Sequence, residues 1–415
     1  MPITLAQIPP EIIEQILLFL DPLDVATVSQ TCKSFYNLIY PAQDHHLWRA
    51  LYLAQPFDDP RRALNRYLHR FPLETIGWKD TLQAIIRART VLLDPSKCRP
   101  GELEVVLRTL VRMLRCATPA TSSTGGNTAS ENLIWLVAML RDGVFLAYDP
   151  PGSSTAAVVQ MRAYLLVHLG LTPCDITNAS KAAALGFVYD FRNYSYESSF
   201  GPYMPDGSGH INWVHLHAIH RAVATHLVDL NEDEPFVFPL IPISMPYCQS
   251  VIPSGMDLSM VLDWAGVEGL WHCSFSFIDH RDLIQLNDSR AGERGPLDTT
   301  MFRDPAFRET FRVLPVHFRI IGAEKDPDCP TRPRLMFAGE VRDGQTMVGR
   351  VEMTQEGHLC WKWVCGEAGQ TLWSCDGIQI GGVRSSYGIL GAWTTVFHEL
   401  HDPVGPLWMH KVKST

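Results

Sequence analysis

Apolar residues recur at two spacings along this chain, and the change of spacing divides it into three zones. From Met1 to about Tyr52, short apolar stripes at helical period are broken tightly by Asp and Pro. From roughly Asp58 to Glu234 the stripes lengthen. From roughly Pro235 to Thr415 the period falls to two, and Gly and Trp become frequent. The pattern predicts an α+β protein. Residues 1–52 form a small three-helix unit, 58–234 a helical middle domain and 235–415 an antiparallel β domain.

In the middle zone, WKDTLQAIIRARTVL sets Leu82, Ile85, Ile86 and Val91 on about one side. GELEVVLRTLVRMLRCA places Leu103, Val106, Leu107, Leu110, Val111 and Leu114 on one wide face, opposite Arg108, Arg112 and Arg115. Glu131–Tyr148, Ser154–Leu169 and Trp213–Leu230 read as further helices, and TPATSSTGGNTASE as a flexible loop. The aromatic loop DFRNYSYESSFGPYMPDGSGHI reads as a wedge between the helices and the β domain, with a recognition surface as the alternative. No fixed-period repeat is visible, so a regular solenoid is not supported.

In the last zone, GLWHCSFSFID puts Trp271, Cys273, Phe275 and Phe277 on one face, and FRVLPVHFRII does the same with Leu314, Val316, Phe318 and Ile320. RLMFAGEV, TMVGRVEM and HLCWKWV follow, with tight hairpin turns at Asp343-Gly344 and Glu356-Gly357. TLWSCDGIQIGGV and GILGAWTTVFH continue the series, with Gly381, Gly382 and Gly391 placed for bends. About seven or eight such strands predict a closed up-and-down barrel or a strongly curved sheet.

Composition narrows the function classes. Of 415 residues, 35 are Lys or Arg and 44 Asp or Glu, so the balance of −9 argues against wrapping nucleic acid. No apolar run is long enough to span a bilayer, and the first residues lack a secretory pattern. The ten cysteines are spread thinly, which fits free thiols in a reducing compartment, cytoplasm or nucleus.

The first fifty residues carry the most specific signal. Ile8-Pro9-Pro10-Glu11 opens a helix with proline in its first turn. Ile12, Ile13, Ile16, Leu17 and Leu20 form an apolar stripe, and Asp21-Pro22 ends it. Leu23, Val25 and Val28 follow on a second helix, then Cys32, Phe35, Leu38 and Ile39 on a third, and Leu47-Trp48 closes the segment. Three such short helices cannot cover this many apolar side chains. Part of the stripe must be covered by another chain or by the rest of this one.

These positions resemble the F-box. Ile8-Pro9, Glu11-Ile12, Phe19-Leu20, Leu23-Asp24, Cys32-Lys33-Ser34-Phe35 and Leu47-Trp48 fall where that family has its Leu-Pro, Glu-Ile, aromatic-Leu, Asp-Leu, Cys-Lys-x-Trp/Phe and Leu-Trp signatures. Ile8 and Phe35 replace the commoner Leu and Trp with the apolar bulk kept. The resemblance implies a Skp-type adaptor and a cullin scaffold as partners, in a Skp–cullin–F-box ubiquitin ligase. The adaptor contacts it implies are Ile8, Pro9, Ile12, Ile16, Leu17, Leu20, Leu23, Val25, Val28, Cys32, Phe35, Leu47 and Trp48. Further along, VYDFRNYSYESSFGPYMPDGSGHINWVHLHAIH and GIQIGGVRSSYGILGAWTTVFHELHDPVGPLW resemble segments of large fungal F-box proteins. Gly269-Leu270-Trp271 and Gly391-Ala392-Trp393 are similar to the Gly-x-Trp of lipocalin-type (calycin) barrels, a β-sandwich with core tryptophans being the alternative.

The expected activity is therefore capture of a protein substrate for ubiquitination, without a catalytic residue, cofactor, metal, membrane or nucleic acid. The β domain is the expected reader, with Arg384, Trp393 and His398 as candidate substrate contacts. Two alternatives are a ligand-sensing barrel coupled to ubiquitination and a hydrolase in the barrel zone. His398-Glu399-Leu400-His401 is one residue short of the zinc-binding H-E-x-x-H spacing, so it reads as a polar loop before the final strand. His210, His215, His217, His220 and His226 read as solvated helix histidines, and Cys360, Cys365 and Cys375 as buried thiols.

Overall fold

The computed structural model describes residues 8–40, 46–64, 68–69, 76–122, 129–152, 154–229, 233–289, 295–304, 306–327, 329, 332–341, 344–367 and 370–412. Four short helices come first: α1 (Pro10–Leu17), α2 (Pro22–Ser29), α3 (Lys33–Ile39) and α4 (His46–Leu53). Asp21 ends α1 and caps α2, accepting the Leu23 amide at 2.9 Å. The Trp48 indole donates to the Ile39 carbonyl at 2.8 Å and ties α4 to α3. The next helix, α5 (Trp78–Leu93), packs on α4, and its Arg89 reaches Asp21 at 2.7 Å.

Helix α6 (Leu103–Arg115) buries Leu103, Val106, Leu107, Leu110 and Leu114, as its period requires. Arg87 on α5 holds Glu102 at 2.7 Å, and that guanidinium draws the Glu102 carboxyl down to about 2. Strand β1 (Ala120–Ser122) lies inside the stretch expected to be a flexible loop. It pairs in parallel with β2 (Val251–Pro253), a long-range contact with no local signal; residues 123–128 of that stretch lie outside the described residues. The helix expected over 131–148 is two, α7 (Glu131–Leu140) and α8 (Val144–Ala147), because Gly143 turns left-handed at φ 72°. The junction is organised by buried Asp58, which accepts from the Thr118 and Glu131 amides at 2.8 and 2.9 Å and from the Ser130 hydroxyl.

Helices α9 (Ala156–Leu169), α10 (Asn178–Val188) and α11 (Trp213–Ala224) pack on one another. Helix α10 has no counterpart in the sequence reading, and α11 stops short of the expected Leu230. The aromatic loop between them is a wedge. Tyr203 donates to Asp376 of the barrel at 2.8 Å, Tyr189 donates to Glu309 at 2.5 Å, and Phe200 stacks on His398 at 3.8 Å.

The C-terminal part is a closed eight-stranded antiparallel barrel, each strand pairing with its neighbour in sequence and the last with the first. Its strands are β3 (Gly269–Phe277), β4 (Thr310–Glu324), β5 (Arg334–Val341), β6 (Thr346–Met353), β7 (Leu359–Glu367), β8 (Gln370–Gln379), β9 (Ile389–Thr395) and β10 (Gly405–Lys411). The zone expected from residue 235 to be strands contains an inserted helix, α12 (His280–Asp288), and the barrel starts only at Gly269. Gly357 makes the β6–β7 turn at φ 82°; Gly344 lies at φ 80°, while Asp343 of the other expected turn is outside the described residues.

Alternation sends Trp271, Phe318, Phe337, Trp361 and Trp363 into the lumen, where they are buried together. A side chain at Gly349 would strike Trp363 Cβ at 2.5 Å and Phe337 Cζ at 2.7 Å, so small residues make room for the rings. Trp271 donates to the Val267 carbonyl at 2.8 Å, and Lys411 lies over its ring at 6.0 Å. Outside the barrel, a second apolar core runs without interruption from Ile13 of α1 through the middle helices to Trp408 of β10. Helix α11 packs directly on β9 and β10. Among the described residues no helix is long and apolar enough to cross a membrane.

Candidate functional site

Two surfaces stand out, one on the N-terminal helices and one between α6 and the barrel. On the first, α1 is divided along its length. Ile13 and Leu17 face inward and pack with Val25, Phe35, Ile39, Leu47, Trp48, Leu51 and Tyr52. Ile12 is 52% exposed, Ile16 44% and Phe19 89%, spaced as i, i+4 and i+7 on one side of the helix and its end. Leu23 at 49% and Tyr36 at 52% extend the bare area onto α2 and α3. Single exposed apolar residues are ordinary, but five in one short module form a patch that water solvates poorly.

The thirteen contacts expected on this module therefore separate. Pro9, Ile12, Ile16, Leu23 and Cys32 are exposed, and Ile8, Leu20 and Val28 are half-buried. Leu17, Val25, Phe35, Leu47 and Trp48 are buried inside this chain's own core, where they hold the module together. Phe19 and Tyr36, both exposed, were not among the expected contacts. Phe19 was legible as the next step of the Ile12–Ile16 stripe; Tyr36 sits beside Phe35 and needed the helix orientation.

The three residues expected as substrate contacts on the barrel are not brought together. Arg384, at φ 59°, donates to the Asp263 carbonyl at 2.9 Å and braces the base of the barrel. Trp393 is buried and donates to the Ser276 carbonyl at 3.1 Å. His398 lies on the β9–β10 loop against Phe200. Arg384 and His398 follow consecutive strands, so the up-and-down path puts them at opposite ends of the barrel.

The second surface is a groove of about 1130 Å³ where the helical zone meets the barrel base. Helix α6 forms one side, with Arg108, Arg112 and Arg115; the start of α9 and the 204–213 segment contribute Met161, Tyr164, Met204 and Trp213. The β6–β7 turn and the β8–β9 loop close it with Glu356, His358, Leu359 and Val383. Arg115 donates to the Glu356 carbonyl and joins the two sides. The aromatic floor packs edge-on: Tyr164 and Trp213 lie 4.4 Å apart, and Trp213 and His358 5.1 Å apart. Burial, and then the charge of Arg115, push His358 down to about 3, so its ring is neutral. The sequence reading placed the three arginines on one face of α6 but gave no sign of what stands opposite.

On α11, His215 and His220 are corrected from solvated to buried and His217 is half-buried, while beyond the helix His210 is exposed and His226 half-buried. His215 and His220 are sealed because α11 lies between other helices and the barrel. Burial lowers His215 to about 4, and His220 meets the Ile243 carbonyl at 3.0 Å. Asp175 pairs with Arg221 at 3.2 Å beside His217. Among the described residues no group of three potential ligands is placed to hold a metal ion. Cys360 and Cys375 are buried free thiols and Cys365 is half-buried.

The class of molecule is thus an α+β chain with a small, partly bare helical module on one side and a filled up-and-down barrel on the other. Residues 5–54 match the F-box-like family, which covers that module. No curated protein and no solved structure matches the chain.

Proposed function

We propose that this protein is the substrate-recognition subunit of a Skp–cullin–F-box ubiquitin ligase, in the cytoplasm or nucleus. F-box segments generally bind Skp-type adaptors. The observation that carries the reading is the bare row Ile12, Ile16 and Phe19 within the F-box-like segment. An apolar row at helical spacing suits a partner's groove, and burying one such side chain contributes about 1.5–3 kcal/mol. The protein then acts by holding a substrate close to the ligase, with no catalytic residue of its own. Filling of the lumen by Trp271, Phe318, Phe337, Trp361 and Trp363 weighs against the ligand-sensing alternative, which needs an open interior.

The test is co-purification of the full chain with a Skp-type adaptor. The Ile16→Glu, Phe19→Glu double variant should lose the adaptor while melting like the parent. Undiminished capture by that variant would refute the assigned face.

A further inference from the structure

We propose that the barrel rim formed by the β9–β10 loop and the tip of the aromatic wedge is the substrate seat, and that it takes a basic segment of polypeptide bearing apolar anchors. Calling that partner a substrate rests on the substrate-receptor reading above. Exposed apolar residues gather here: Tyr196, Phe397 and Leu400 are each at least 60% exposed, and Trp373 is exposed beside them. They adjoin one another. The Tyr196 and Phe200 rings lie 4.9 Å apart, Phe200 stacks on His398 at 3.8 Å, and the Val396 amide donates to the Leu372 carbonyl at 3.0 Å next to Trp373. A contiguous patch of this kind marks an interaction site where scattered single residues do not. The backbone singles out the same place. Six non-glycine residues have positive φ among the described residues, and four of them are here: Ser199 at 50°, Phe200 at 55°, His398 at 52° and His401 at 71°. The left-handed region is unfavourable for a residue with a Cβ, so both loops are held in a costly shape, as functional loops commonly are.

Charge decides the ligand class. The wedge carries Asp190, Arg192 and Glu197, the loop Glu399 and Asp402, and the start of α12, which meets the loop where His280 contacts the His401 carbonyl at 2.9 Å, carries Asp279, Arg281 and Asp282. Two guanidinium groups thus face six carboxylates, 2 − 6 = −4, and Arg192 is already held by Asp190 at 2.6 Å. Counting the adjoining start of β4, with Arg308, Glu309 and Arg312, still gives 4 − 7 = −3. Glu197 and Glu399 are exposed beside the bare rings. Such a rim repels nucleic acid and anionic lipid and attracts Lys and Arg. Cations also settle over aromatic faces, as Arg312 does over Phe277 at 5.6 Å on this same rim.

The experiment is fluorescence anisotropy of the purified full chain with labelled peptides in which a Leu-Phe pair is flanked by Lys, by Ser or by Glu. The Lys series should bind, the Ser series at least ~10-fold more weakly and the Glu series not at all, with affinity falling as salt rises. Phe397→Ser with Leu400→Ser should weaken the Lys series at least ~10-fold while melting like the parent. Glu399→Gln should weaken it ~3-fold and flatten its salt dependence. Should the double variant melt early, Tyr196→Ser on the other loop carries the same expectation. Equal binding of the three series, no binding by any, or full binding by a correctly folded loop variant overturns the proposal. Adaptor capture on the same preparations separates the two readings. The loop variants should keep the adaptor, and the Ile16→Glu, Phe19→Glu variant should keep the peptide. A parent chain that binds the Lys series but captures no adaptor would sink the receptor reading and leave the docking surface standing.

Discussion

Phe19, just past the end of α1, and Trp361 in the barrel are both large apolar side chains, yet one is 89% exposed and the other not at all. The barrel seals its own interior: alternation turns every second residue inward, and glycines such as Gly349 make space for the rings. Helix α1 has only one side to offer its own chain, and uses it for Ile13 and Leu17. The same hydrophobic effect thus has two outcomes. Where sheet closure completes the burial, apolar residues build stability. Where a short helix cannot be surrounded, they remain bare.

That contrast can be broken at several points. Trp361→Ala should have the largest effect on stability, a loss of about 3–5 kcal/mol in chemical denaturation, with adaptor capture intact under native conditions. A loss below ~1 kcal/mol would mean the lumen is loosely packed. Acidification comes next. His168 and His215 are held near 4 by burial, against about 6.5 when unfolded. Between those values the unfolded chain binds more protons, so stability is complete above about pH 6.5 and lost as pH falls toward 4. Scanning calorimetry should show Tm falling by ~5 °C or more from pH 7 to pH 4.5; a flat profile would place these rings in water. Arg89→Ala removes a partly exposed pair with Asp21 and should cost less than about 1 kcal/mol. Smallest of all, Ile16→Glu with Phe19→Glu should stay within about 0.5 kcal/mol per site while abolishing adaptor capture. A large drop in Tm would show that the bare row is sealed in solution.

Much of the architecture was legible because period reports burial. The strands of the barrel, α5, α6 and the N-terminal helices follow directly from which residues are apolar. Helix α10 escaped because its Ala-rich run carries almost no stripe; its signal was Thr177, which caps it by accepting the Ser180 amide at 3.1 Å. The β1–β2 pair joins residues more than a hundred positions apart, with no local pattern. For the same reason the groove was illegible: its walls come from α6, α9 and two barrel loops, and only folding brings Arg112 opposite Glu356. The split of the α1 contacts needed the orientation of α2, α3 and α4, which decides which of two adjacent apolar residues, Ile16 or Leu17, is covered.

The uninterrupted apolar core from α1 to β10 has a mechanical consequence. With α4 seated on α5 and α11 seated on β9 and β10, the two ends of the molecule share packed interior. Such a body behaves as a bracket: on the proposed substrate-receptor reading, a substrate held on it would keep a constant bearing to an adaptor seated on α1. On that reading, only acceptor lysines within a narrow arc of that bearing would come within reach of transfer.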